Sequence, residues 1–147
     1  DDALMDMSPY AAAIVRLFLK NSYQLSIKKI NYQKTKYVKS FSIFCKNDHI
    51  SYYGNFGTES EYISEVRFFS KKKIIIINHQ AFALPSNINI PVSIKEKNTI
   101  KTVNFSKDDA IKNFIQGTLR AIKLMNYKMY YNSILADSKF REELKIK

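Results

Sequence analysis

The chain has 147 residues, enough for one core; 46% are apolar and only three are Gly and three Pro, which excludes a linker-rich or disordered chain. Its net charge is +11, and its apolar runs are too short to cross a bilayer as a helix. The single cysteine, Cys45, excludes an intramolecular disulfide and a multi-cysteine metal centre.

A single α+β domain over residues 1–147 is expected. The chain opens at Asp1 rather than Met, as a processed product, a trimmed chain or a piece of something longer would. Cysteine poverty fits the cytoplasm and equally a periplasmic domain whose anchor has been removed.

Ser8-Pro9 reads as a helix start, with Ser8 as cap and Pro9 at the first helical position. Ala11, Ile14, Val15, Phe18 and Leu19 then recur at helical spacing, predicting a helix over about 9–22. From Leu25 to Phe105 the period changes to two. Leu25 to Tyr32 is a weaker strand, because alternation slips at Lys28-Lys29. Phe41, Ile43 and Cys45 share one face of the next strand, with Ser40 and Ser42 opposite. Asn47-Asp48 suits a hairpin turn into residues 49–53, and Gly54 to Gly57 reads as a loop or bulge. Further strands are expected over 61–69, over 73–84 as a central strand, around Ile90, Val92 and Ile94, and over 99–105 after a turn at Lys97-Asn98. Ser106 begins a capping-box-like Ser-x-x-Asp pattern. The apolar face traced by Ile111, Phe114, Ile115, Leu119, Ile122, Met125 and Met129 predicts one long helix, packed on the sheet near Ile75 and Ile77. Asp137-Ser138 is expected to cap a short last helix.

The order is an N-terminal helix, a curved antiparallel sheet of six or seven strands, and a long C-terminal helix. A PH-like roll fits this order, and a cystatin/NTF2-like cone fits it less well.

Charge is segregated. Residues 7–47 contain no acid and hold Arg16, Lys20, Lys28, Lys29, Lys34, Lys36, Lys39 and Lys46. The rest of the chain is close to balanced, with sixteen basic and thirteen acidic residues. Codon bias toward Lys does not produce such placement. Lys28, Lys29, Lys34, Lys36 and Lys39 are the candidate anion-binding residues, and Tyr32 and Tyr37 the candidate stacking rings. The competing reading is a solvated sheet edge, protected from pairing by its lysines.

No catalytic constellation is evident. Cys45 and His49 are four apart, but Cys45 reads as a small core residue and no third group orients the pair. His79 ends an isoleucine run and reads as structural. Asp108-Asp109 suits a helix start, Glu142-Glu143 a solvated helix, and Glu59, Glu61 and Glu65 have no nucleophile beside them. Phosphate-loop, dinucleotide-fold and hydrolase motifs are missing. The expectation is therefore a non-catalytic module with no cofactor and no metal. It would bind an anionic partner, most simply nucleic acid backbone. The alternative is an assembly subunit, such as the soluble domain of a membrane-anchored bacterial secretion or envelope complex that meets protein partners. A ligand-binding cone or roll is a third reading, without a polar constellation to support it.

Overall fold

The computed structural model describes residues 2–20, 22–32, 37–58, 61–78, 81–82 and 89–145. In chain order they form α1 (Ala3–Ile14) with a π-helical turn (Val15–Leu19), β1 (Gln24–Tyr32), β2 (Val38–Lys46), β3 (Ser51–Gly57), β4 (Val66–Phe69), β5 (Lys73–Ile77), β6 (Ile90–Glu96), β7 (Thr99–Phe105), α2 (Ala110–Lys123) and α3 (Lys128–Lys145). The expected α+β order holds: a helix, seven antiparallel strands, then helix again. The strands fall into a three-stranded sheet, β1-β2-β3, and a four-stranded sheet, β4-β5-β6-β7, with no closed barrel among the described residues. Two compact units result: Asp1–Ser60 with Tyr127–Lys147, and Glu61–Asn126.

The first unit owns the core. α1 starts well before Ser8: Asp2 is its N-cap, accepting from the backbone N–H of Leu4 at 2.9 Å and Met5 at 3.2 Å. The same carboxylate accepts from the backbone N–H of Val38 at 3.5 Å, tying the helix start to β2. Pro9 lies inside the helix, and Ser8 is buried rather than capping. Lys20, at φ 58°, ends the π-turn in a conformation side chains disfavour. Phe41, Ile43 and Cys45 are buried along β2 as their alternation requires. Register pairs Phe41 with Phe56, Ile43 with Gly54 and Cys45 with Tyr52. The Phe41 and Phe56 rings stack at 4.8 Å. Gly54 is therefore strand, not loop. A Cβ there would come within 2.6 Å of the Tyr52 hydroxyl and 2.8 Å of the Phe56 ring, so the close approach demands glycine. The slipped alternation in β1 has its cause in a register shift between Leu25 and Ile27. Phe140 and Leu144 of α3 complete this core with Ala11, Ala12, Val15 and Leu19 of the first helix.

The second unit holds little that is buried: Val92 and Ser64 are its buried residues among those described. β5 is an inner strand of its sheet, as expected, but its isoleucines are only partly covered. The strand expected over 61–69 is confined to Val66–Phe69. α2 is capped by Asp109, which accepts from the backbone N–H of Lys112 at 2.9 Å, so Ser106 is not the cap. The expected single long helix breaks at Met125, φ 49°, and restarts as α3. α3 spans 18 residues, with Asp137 and Ser138 in its interior. The apolar face of α2 is not packed on the isoleucines of β5. From Ile111 to Ile122 its large side chains are 51–72% exposed, and none of its residues is buried.

Candidate functional site

The acid-free stretch meets its counter-charges in space. α3, more than a hundred residues later, lays acids and carbonyls over it. Arg16 Nε donates to Asp137 Oδ1 at 2.7 Å. The Tyr23 hydroxyl donates to Glu143 Oε2 at 3.1 Å, and Arg141 Nε to the Ser8 hydroxyl at 3.0 Å. Lys28 shares the inward face of β1 because it pairs with buried Ile43. Its ammonium donates to the carbonyls of Glu143 at 3.3 Å and Leu144 at 3.1 Å. A cation there satisfies unpaired carbonyls at the helix C-terminus and complements its dipole. Lys28 therefore serves the fold.

Of the other expected binding residues, Lys29 and Lys39 are exposed on β1 and β2, and Tyr32 and Tyr37 are about half exposed. Lys34 and Lys36 lie outside the described residues, as do His79 and Glu59.

Cys45 and His49 are not brought together for chemistry. Cys45 is fully buried, and burial, with Glu143 adding to it, pushes its thiol up to about 11. His49 is exposed, its backbone N–H held by Asn47 Oδ1 at 2.9 Å in the turn before β3. Burial first, then the Glu143 carboxylate, raises the Tyr23 phenol well above its ordinary value. Asp108 accepts from the Asn113 side-chain amide at 2.8 and 2.9 Å, and Glu65 pairs with Arg67. The described residues contain no cluster of His, Cys, Asp and Glu able to hold a metal.

Two features of the first unit could meet a ligand. A groove of about 410 Å³ runs between the π-turn and α3, floored by Val15, Leu135 and Phe140 and edged by Arg16, Lys20 and Lys139. Arg16 is already neutralised by Asp137, so Lys20 and Lys139 give the groove its charge. On α1, Asp6 and Tyr10 are both exposed and one turn apart, placing a carboxylate and a phenol on one face. The apolar pattern that begins at Ala11 drew the helix reading past this pair. The four-residue spacing was the signal available.

Neither a family model nor a curated protein matches the chain. Its fold does recur among solved structures, as part of oxidoreductases. The chain is similar to KijD10, a 3-ketoreductase from Actinomadura kijaniata in complex with TDP-benzene and NADP, with TM-score 0.88 and 16% identity, covering 98% of this chain and 46% of that one. A form of that enzyme with one tyrosine changed to phenylalanine gives TM-score 0.86 at 16% identity, over 97% of this chain and 45% of that one. A dehydrogenase (MviM) from Clostridium difficile gives TM-score 0.71 at 13% identity, over 97% of this chain and 47% of that one. The chain thus spans under half the length of the structures it resembles.

These likenesses correct the functional expectation. A non-catalytic module for nucleic acid, or a secretion-complex subunit, does not account for a fold that forms about half of a ketoreductase and of a dehydrogenase. The expectation of no enzyme falls with it. Part of the basic stretch is engaged within the fold: Arg16 pairs with Asp137, and Lys28 donates to carbonyls at the end of α3.

Proposed function

We propose that this chain is the α+β half of an NADP-dependent oxidoreductase acting on a ketone or secondary alcohol, with the nucleotide held by a different half. The carrying observation is the TM-score of 0.88 over 98% of the chain to a 3-ketoreductase in complex with NADP.

The chain's own residues do not fit a dinucleotide. A pyrophosphate cradle needs a glycine-rich turn between a parallel strand and a helix. Here the strands are antiparallel, and the three glycines fall in β3, at Gly54 and Gly57, and in α2, at Gly117. Its contribution is then to the substrate. Asp6 and Tyr10 are the pair we assign to a substrate oxygen: a phenol can donate to a carbonyl and exchange a proton with it, and the carboxylate a turn away can orient a hydroxyl.

The test joins the chain to a nucleotide-binding half and follows NADPH oxidation with nucleotide-linked ketones. Turnover is expected, and Tyr10→Phe should lower kcat by about 10²–10⁴ in a protein that remains folded. The 147-residue chain alone should not bind NADPH. A joined protein that fails to bind NADPH at micromolar concentration overturns the proposal.

A further inference from the structure

We infer that the groove between the π-turn and α3 binds a small organic carboxylate, an anion with an apolar body, independently of the oxidoreductase reading above. Every residue that lines the groove belongs to the first unit, so the site is built within one compact body. Its volume of about 410 Å³ falls in the range of small-molecule sites. Val15, Leu135 and Phe140 give it an apolar floor. A bare inorganic anion would leave that floor unused, whereas an aliphatic or aromatic body would cover it.

Arg16 is the receptor for the charged end. Its Nε donates to Asp137 Oδ1 at 2.7 Å, which holds the guanidinium in place. Its two terminal nitrogens make no hydrogen bond among the described residues. A guanidinium anchored through Nε presents its remaining N–H groups as a preformed fork, the geometry that a further carboxylate fits. Asp137 cancels one charge, but Lys20 and Lys139 also line the groove and have no ion pair among the described residues. Three cations are thus set against one acid. The Tyr23 hydroxyl donates to Glu143, which lies outside the lining. The backbone at this end is also irregular: Arg16 lies in the π-turn, and Lys20 ends it at φ 58°, ψ −143°, a conformation that only glycine adopts without strain. π-turns and strained residues of this kind collect at ligand sites.

Calorimetric titration of the 147-residue chain with sodium naphthoate tests the site. Saturable binding with a dissociation constant below about 1 mM is expected. Arg16→Lys keeps the charge and removes the fork, and should weaken binding about tenfold. Lys20→Gln combined with Lys139→Gln, both at exposed positions, should weaken it about fivefold. This second variant carries the test if Arg16→Lys does not fold. The matching uncharged naphthyl alcohol should bind at least about tenfold more weakly than the carboxylate. Inorganic phosphate at the same concentration should not displace the naphthoate. An absence of saturable binding overturns the inference. Binding that neither variant weakens puts the naphthoate elsewhere on the chain and overturns it as well. Equal affinity for the alcohol reduces the groove to an apolar cleft, and displacement by phosphate reduces it to a cationic patch; either result sinks the carboxylate site.

Discussion

The two units handle apolar side chains in opposite ways. In the first, α1, β2 and α3 bury Phe41, Ile43, Phe140 and Leu144 almost completely. In the second, the four-stranded sheet leaves Phe69, Ile100 and Phe105 exposed, and α2 leaves its entire apolar face open. Both stretches have sharp hydrophobic periodicity, so periodicity alone does not say where the covering surface comes from. It says only that a helix or strand has a face to cover. In the first unit the same chain covers it. In the second, the described residues of the unit itself do not.

The contrast is broken most directly by truncating one ring from each side. Phe140 is 1% exposed, with its ring 5.8 Å from that of Tyr23, so Phe140→Ala should destabilise the chain by about 3–5 kcal/mol. Phe114 is 64% exposed, and Phe114→Ala should cost about 0.5 kcal/mol or less. Urea melts of the two variants measure the difference directly. Comparable losses would mean that α2 is buried in solution and that the units are alike.

A smaller effect appears at high pH. Cys45 titrates near 9.0 when unfolded and near 11 in the core. Below about pH 9 the thiol is protonated in both states, and the fold keeps its full stability. Between about 9 and 11 the unfolded chain ionises first, so stability falls by roughly 1.4 kcal/mol per pH unit, about 2–3 kcal/mol in all. Tyr23 and Tyr52 push the same way. Melts at about pH 8 and about pH 11 should therefore show a larger drop for the native chain than for Cys45→Ala. An identical drop would place the thiol in water.

Smallest is the ion pair that docks α3. Arg16 and Asp137 are each about one-third exposed, and a double-mutant cycle on Arg16→Ala and Asp137→Ala should give a coupling of about 0.2–1 kcal/mol. A coupling of zero would mean that α3 is held by Phe140 and Leu144 alone.

The local rules were legible and the long-range ones were not. Alternation at Phe41, Ile43 and Cys45 located β2 and its buried face, and the turn at Lys97-Asn98 stands where expected. The start of α2 was legible as a region, although Asp109 rather than Ser106 does the capping. Asp2 was missed because the serine–proline pair at 8–9 looked like a better helix start than an aspartate six residues earlier. The acid-free stretch was misread because its partners lie 115–121 positions away, at Asp137, Glu143 and Leu144. No window along the sequence brings those residues together. The Asp6–Tyr10 pair was within reach, since helical spacing alone puts the two on one face.

The clasp of Lys28 on the end of α3 also bears on how the chain is made. The first unit is assembled from residues 1–60 and 127–147, with the second unit's residues inserted between them. Phe140 and Leu144 are part of its core, so that core cannot close until residues 140–144 have left the ribosome. The four-stranded sheet, whose strand pairings are all between neighbours in sequence, is free to form earlier. During synthesis, β1 and β2 therefore wait with their inward faces covered by the first helix alone while later residues are added, and this is the interval in which a chaperone has most to hold.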